Sequence, residues 1–378
     1  MRFPQDVPTL RDGDVSLRPH RPEDASAALE QCLDPLSRQW TTVPLDYTHA
    51  DADRFVRQAM PGGWADETEF GFAVEAPDDD GGLRYAGTMS LRDQGEGRAE
   101  IAHGSHPWVR GRGVMERALR LMIAWGFEER GLETVIWWAN RGNWASRKLA
   151  WRLGFSFEGA PRHWLPQRGV LLDAWIGTLL AADRREPTAP WLVPPYVRGE
   201  RVVLRRLVHE DAGRVVEGCL DPETKRWLGH IPQPYTLDLA HEFIEGREEG
   251  HASGRALTWT MADPSTGVLV GLVNLFDLEG GGVDAEVGYW VHPQARGRGV
   301  ATEATRLALR HAFVPDDDGG LGLERVRAVA AEDNHASRRV LERAGLRIQG
   351  RERRLVRLGD GSRSDAAIYD VLAAEFHA

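Results

Sequence analysis

The sequence predicts two tandem domains of one α/β class, each an α+β-like mixed, mostly antiparallel sheet flanked by helices. Three observations predict it. Arg110-Gly111-Arg112-Gly113-Val114 returns as Arg296-Gly297-Arg298-Gly299-Val300, and Cys32-Leu33-Asp34-Pro35 returns as Cys219-Leu220-Asp221-Pro222. That spacing is far longer than the roughly 20 to 50 residues of a solenoid repeat, so whole domains are duplicated. Strand-like and helix-like segments also alternate in the same order in both halves. A glycine-rich turn joins a strand to a helix at the same place in each.

Each half opens with a strand-like segment, Val15-Ser16-Leu17-Arg18 or Val202-Val203-Leu204-Arg205. A helix follows at Pro22-Glu23-Asp24 and at His209-Glu210-Asp211, where carboxylates suit the positive end of a helix dipole. Turns at Asp78-Asp79-Asp80-Gly81-Gly82 and Pro264-Ser265-Thr266-Gly267 then join two strands into a hairpin. The next strand, Ala99 to Ser105 or Ala285 to Val291, runs into the Arg/Gly loop. Beyond it Ala118, Leu121, Met122 and Trp125 recur at i, i+3, i+4 and i+7, an amphipathic helix whose counterpart spans Glu303 to Phe313. A strand at Thr134 to Ala139 or Arg325 to Ala330 leads to a second helix ending at Gly154 or Gly345, and a strand pair closes each half. Residues 1–183 form the first domain and 198–378 the second. The stretch 184–197, with Pro187, Pro190, Pro194 and Pro195, is a stiff linker that predicts intramolecular pairing of the halves in a fixed relation.

Composition narrows the function. The net charge of −10 disfavours nucleic acid and favours a cationic small molecule or basic peptide. No apolar run approaches the roughly 18 residues of a membrane span, and no leader pattern is read, so a cytoplasmic location is expected. Cys32 and Cys219 occupy equivalent places in separate halves and are expected to be buried thiols. No metal site is expected. Ten of the 14 tryptophans lie in the first half, among them Trp137, Trp138, Trp144, Trp151 and Trp164, which reads as core packing or as an aromatic-walled pocket.

A glycine-rich turn opening a helix aims backbone N–H groups and the helix dipole at one point, a ready site for phosphate. No lysine–serine or lysine–threonine pair follows to make a P-loop, and the third glycine of a dinucleotide fingerprint is missing. The second copy does meet the pattern Arg/Gln-x-x-Gly-x-Gly/Ala through Arg296, Gly299 and Ala301. With Glu286-Val287-Gly288-Tyr289-Trp290-Val291-His292-Pro293 before it and Thr302-Glu303-Ala304 after, it resembles the GNAT N-acetyltransferase superfamily, in its Rim-type branch of ribosomal-protein N-terminal acetyltransferases. The resemblance extends over nearly the whole of both halves. It implies that Arg296, Gly297, Arg298, Gly299, Val300 and Ala301 hold the pyrophosphate of acetyl-CoA. Trp290 and Val291, leading to His292, would pair with pantetheine, and Asn334 would touch the pantetheine arm. In the first copy Arg110, Gly111, Arg112, Gly113 and Asn143 are the matching cofactor residues, but Met115 stands where the pattern wants glycine or alanine.

Amide formation from a thioester needs a neutral amine, an oxyanion stabiliser and a proton for the leaving thiolate. An α-amine near pKa 7.7 to 8.0 is already partly neutral at pH 7, so a modest base suffices. Glu286, with its counterpart Glu100, is the candidate base; the alternative is a solvent-facing strand glutamate. Ser337 is the candidate acid by the resemblance, although Asn334 and Ser337 are also ordinary helix starters. Where many family members carry a tyrosine acid this chain has Leu341 and Ala150, leaving Ser337, a water or Tyr369. Asp365 and Asp173 would orient an amine or shape a turn. The function implied is acyl-CoA-dependent N-acyl transfer, most simply of acetyl, by direct attack of a primary amine of a small molecule or of a peptide or protein N-terminus. The alternative is a non-catalytic acyl-CoA or amine sensor built from degenerate domains.

Overall fold

The computed structural model describes residues 1–278 and 284–377 and divides into two compact units, Met1–Thr188 and Ala189–Ala378. The first unit runs through β1 (Leu10–Asp12), β2 (Val15–Arg18), α1 (Ala25–Leu33), α2 (Pro35–Trp40), α3 (His49–Arg54), a π-turn (Phe55–Ala59) and α4 (Met60–Asp66). It continues through β3 (Glu69–Pro77), β4 (Leu83–Asp93), β5 (Arg98–Ser105), α5 (Val114–Glu128), β6 (Thr134–Asn140) and α6 (Trp144–Arg152). It closes with β7 (Ser156–Gly159), a small β8 (Leu165–Gln167) and β9 (Val170–Leu172) ribbon, and β10 (Ala174–Leu180). The second unit comprises β11 (Val197–Arg198), β12 (Val203–Arg205), α7 (Ala212–Leu220), α8 (Pro222–Trp227), α9 (Leu237–Ala252), β13 (Ala256–Ala262), β14 (Leu269–Phe276) and β15 (Asp284–Val291). It ends with α10 (Val300–Phe313), β16 (Arg325–Ala331), α11 (His335–Ala344), β17 (Arg347–Arg357) and β18 (Arg363–Leu372).

Each unit holds an eight-stranded sheet, in the order β1-β2-β3-β4-β5-β6-β10-β7 and β11-β12-β13-β14-β15-β16-β18-β17. All neighbours are antiparallel except one pair in each. β5 meets β6 in parallel over Arg98–Glu100 and Thr134–Ile136, and β15 meets β16 over Asp284–Glu286 and Arg325–Arg327. Three residues in register, then separation, leave a V-shaped gap through the sheet beside the Arg/Gly loop.

The expected element order holds, with helices added between the first helix and the hairpin. The carboxylates expected to favour a helix dipole do more than that. Asp24 forms a buried two-pronged bond with Arg18 (2.8 Å each), and Asp211 the same with Arg205 (2.8 and 2.7 Å), so the helix start is tied to the preceding strand. One face of each sheet packs on α5 or α10, through Phe72, Met89, Leu91, Leu119, Met122 and Ile123 in the first unit and Leu257, Trp259, Val273, Leu275, Ala304 and Ala308 in the second. The proline-rich stretch is not free chain. The Arg185 carbonyl accepts from Arg120 (2.8 Å), and the Pro195 carbonyl accepts from the Trp259 indole (3.0 Å). Among the described residues, no helix is long and apolar enough to cross a membrane.

Candidate functional site

The Arg/Gly loop is shaped by two left-handed glycines, Gly297 (φ 75°) and Gly299 (φ 78°), matched by Gly111 (78°) and Gly113 (74°). A side chain is strained at such φ values, which explains the glycines. Gly299 is the N-cap of α10 and offers no side chain to close the helix end. Among the described residues the amides of Gly297, Arg298 and Gly299 meet no acceptor, so they remain open as donors. Arg298 is exposed, whereas Val300 and Ala301 are buried in the first turn of α10.

Arg296 anchors the loop from within the protein. Its guanidinium bonds Asp221 (2.5 Å) and the Thr224 hydroxyl (2.8 Å), while Asp221 caps α8 by accepting from the Thr224 amide (2.9 Å). Arg110 does the same with Asp34 (2.5 Å), which caps α2 through the Ser37 amide (2.9 Å). The repeated Cys-Leu-Asp-Pro motif is therefore the loop's anchor. Its cysteine is paired too, Cys219 with Tyr235 and Cys32 with Tyr47. Burial pushes both thiols up to about 11, with the tyrosines opposing.

Along β15 side chains alternate between faces. Ala285, Val287, Tyr289 and Val291 join the core under α10, whereas Trp290 packs in the cluster with α7 and α9. Glu286 shares the Trp290 face and sits at the vertex of the V, in the last paired position with Arg327. Burial raises its carboxyl above the usual range, Asp277 adds to this and Arg327 opposes it. Its cross-strand neighbour is Phe276, and it has no ion pair among the described residues. On the same face, two positions along β14, the Asn274 side-chain oxygen is buried without a partner.

On the opposite face the Tyr289 hydroxyl donates to the Ser337 carbonyl oxygen (3.0 Å) and lies 2.9 Å from Ser337 Oγ. Asn334 accepts from the Ser337 amide (3.0 Å) as N-cap of α11, and Asn143 does the same for Ser146 (3.2 Å). The sequence pattern points to Leu341, Ala150 and Tyr369 when a tyrosine is sought and gives no role to Tyr289. Tyr369 is fully buried, with its hydroxyl engaged by Arg338 (3.1 Å) and Glu342 (3.1 Å). Asp365 and Asp173 shape turns. Each accepts from the amide of a left-handed residue, Arg354 (2.8 Å) and His163 (2.9 Å).

The first unit repeats this frame with altered contents. His103 stands at the Tyr289 position, and Ser146 instead accepts from the Trp137 indole (3.0 Å). Trp290 and the Gly218 beneath it are replaced by Gly104 and Gln31, the large group having moved from strand to helix. Here a cleft of about 760 Å³ is lined by Gly111, Gly113, Met115, Glu100, Trp40 and Trp138, among others. Met115 thus borders the cleft while packing partly on the core. Burial raises the Glu100 carboxyl, Arg92 at 3.6 Å opposes this and Glu69 adds to it. The tryptophans divide: Trp64, Trp125, Trp137 and Trp175 are buried, whereas Trp138 stacks on the exposed Trp164 (5.7 Å) beside the cleft.

The acetyltransferase (GNAT) domain model matches residues 14–156 and again 201–347. The "Putative ribosomal N-acetyltransferase YdaF" of Bacillus subtilis is 29% identical over 47% of this chain and 94% of its own length. The "Uncharacterized N-acetyltransferase YoaA" of the same organism is 25% identical over 47% of this chain and 97% of its own. Among solved structures, Mycobacterium smegmatis RimJ in complex with CoA-disulfide is 24% identical, with a TM-score of 0.43, covering 48% of this chain and 89% of that one. The chain belongs to the GNAT acetyltransferase family and carries its domain twice.

Proposed function

We propose that the second unit transfers acetyl from acetyl-CoA to a primary amine by direct attack. One observation carries the reading: Glu286 lies on one face of β15, and the Tyr289–Ser337 pair on the other, beside the gap between β15 and β16. A base and a proton donor on opposite sides suit an amine that adds from one face while thiolate leaves by the other. The open amides of Gly297, Arg298 and Gly299 would take the pyrophosphate of coenzyme A at the start of α10, in a loop held by Arg296 and Asp221. Trp290 and Val291 would run beside pantetheine, and Asn334, whose Oδ1 caps α11, would bring its amide nitrogen to the same arm.

In the step itself the N–C bond forms and the C–S bond breaks. The amine proton passes to Glu286, whose raised basicity favours the transfer, and the thiolate takes a proton from the Ser337 hydroxyl hydrogen-bonded to Tyr289; Glu286 then gives its proton to solvent and Ser337 regains one from solvent, so the cycle closes with no net proton change. The acceptor class is a small-molecule amine or a polypeptide N-terminus; the relative named as a ribosomal N-acetyltransferase supports the latter. Release of free thiol from acetyl-CoA, followed across a panel of amines and N-terminal peptides, tests the reading. Glu286→Gln should lower kcat by about a hundredfold, and Tyr289→Phe should lower kcat with little change in KM for acetyl-CoA. Absence of turnover with every amine, together with tight acetyl-CoA binding, would leave a sensor in its place.

A further inference from the structure

Gln31 is a side chain whose polarity the first unit uses only in part. It is 5% exposed, on α1, and its carboxamide oxygen accepts from the buried Tyr85 hydroxyl (3.2 Å). That bond turns the NH₂ group toward Gly104 on β5, and no hydrogen bond of this nitrogen is found among the described residues. Both Gln31 and Gly104 line the 760 Å³ cleft. On the wall of that cleft the nitrogen is a donor that a ligand oxygen can reach.

The second unit shows what a filled version of this place looks like. There the equivalent pair is Gly218 and Trp290, and the indole lies so close that even a methyl group at Gly218 would collide with it. The exchange is reciprocal, large for small on both elements, so the Gln31 carboxamide takes over part of the place of the indole and replaces an apolar plug with an amide donor on the cleft wall. The same cleft is also lined by Trp40, Tyr47, Phe55 and Trp138, flat apolar surfaces suited to an aromatic ring. We propose that the cleft of the first unit binds an aromatic ligand carrying a carbonyl or amide oxygen, which accepts from the Gln31 side-chain NH₂.

Calorimetric titration of the full chain tests this with three probes. L-phenylalaninamide has both ring and carbonyl, 2-phenylethylamine lacks the carbonyl, and glycinamide lacks the ring. Phenylalaninamide should bind about tenfold more tightly than phenylethylamine, the value of one neutral hydrogen bond, and glycinamide should bind more weakly than both. Gln31→Leu keeps the bulk and removes the donor, so it should erase the gap between the two aromatic probes while phenylethylamine keeps its affinity. The double exchange Gln31→Gly with Gly104→Trp copies the second unit's pair and should weaken both aromatic probes; its thermal melt shows whether it folds. A gap that survives in Gln31→Leu overturns the proposal, as does glycinamide binding as tightly as phenylalaninamide. No acetyl donor is present in the titration, so its outcome does not depend on whether the second unit transfers acetyl.

Discussion

Replacing Asp221 with alanine should loosen the second unit at two places at once, because one carboxylate both caps α8 and holds Arg296. Loss of an N-cap costs about 1 kcal/mol, within a range of roughly 0.5 to 2. The ion pair adds less: Asp221 is 17% exposed but Arg296 is 35% exposed, so solvent screening holds its share to about 0.5 kcal/mol. The sum, about 1 to 2 kcal/mol, corresponds to a fall in Tm of roughly 2 to 8 °C for a domain of this size. Asp221→Asn separates the two roles, since asparagine caps as well as aspartate but cannot pair as a charge. It should melt within about 1 to 2 °C of the parent, yet share with Asp221→Ala a raised KM for acetyl-CoA, because the loop has lost its anchor in both. Scanning calorimetry and steady-state kinetics on the two variants read these quantities separately. If Asp221→Ala melts like the parent, the cap carries no weight; if Asp221→Asn leaves KM unchanged, Arg296 does not position the loop.

Gly299→Val should abolish turnover by straining a backbone held at φ 78°, whereas Gly113→Val should reduce it less; equal loss would move the catalytic role toward the first unit. Asp277 helps keep the Glu286 carboxyl high, so Asp277→Asn should move the acidic limb of the kcat profile to lower pH. Here activity is lost as pH falls through the pKa of the base, and removing a neighbouring negative charge lowers that pKa; a limb that stays in place would deny Glu286 the role. With both thiols pushed up to about 11, iodoacetamide at pH 8 should alkylate native Cys32 and Cys219 far more slowly than the unfolded chain, as read by intact mass.

Much of the fold was legible because duplication allows each half to be checked against the other. The strand before the Arg/Gly loop, the left-handed glycines and the helix behind them follow from local chemistry that two copies repeat. Helix α9 was harder to read. Gly246 and Gly250 dilute its pattern, and its stability comes from Ala240 and Ile244 packing under β14, a tertiary effect. At the candidate site, the place of Glu286 on the strand before the loop was legible in the sequence, and its raised carboxyl depends on burial that only the fold supplies. Tyr289 stands in the motif, but strand alternation alone does not reveal that its hydroxyl reaches Ser337 on a helix 48 residues away. Arg296 shows a related limit. A family pattern marks the residue but not its partner, and the partner was already visible as the repeated Asp-Pro of the second motif.

The start of the helix behind the loop also carries opposite charge in the two units. Arg117 bonds Asp12 and Asp14 in the first, whereas Glu303 accepts from the amides of Glu200 (2.5 Å) and Arg201 (2.8 Å) in the second. A chain that contains its own near-copy risks exchanging elements between copies while it folds, a characteristic failure of repeated domains. Were α10 to dock in the place of α5, Glu303 would face two aspartates, and β15 in the place of β5 would drive Trp290 into Gln31. Divergence at these contacts thus acts as a key code between the copies, penalising the swapped misfold while the native contacts at these positions stay paired.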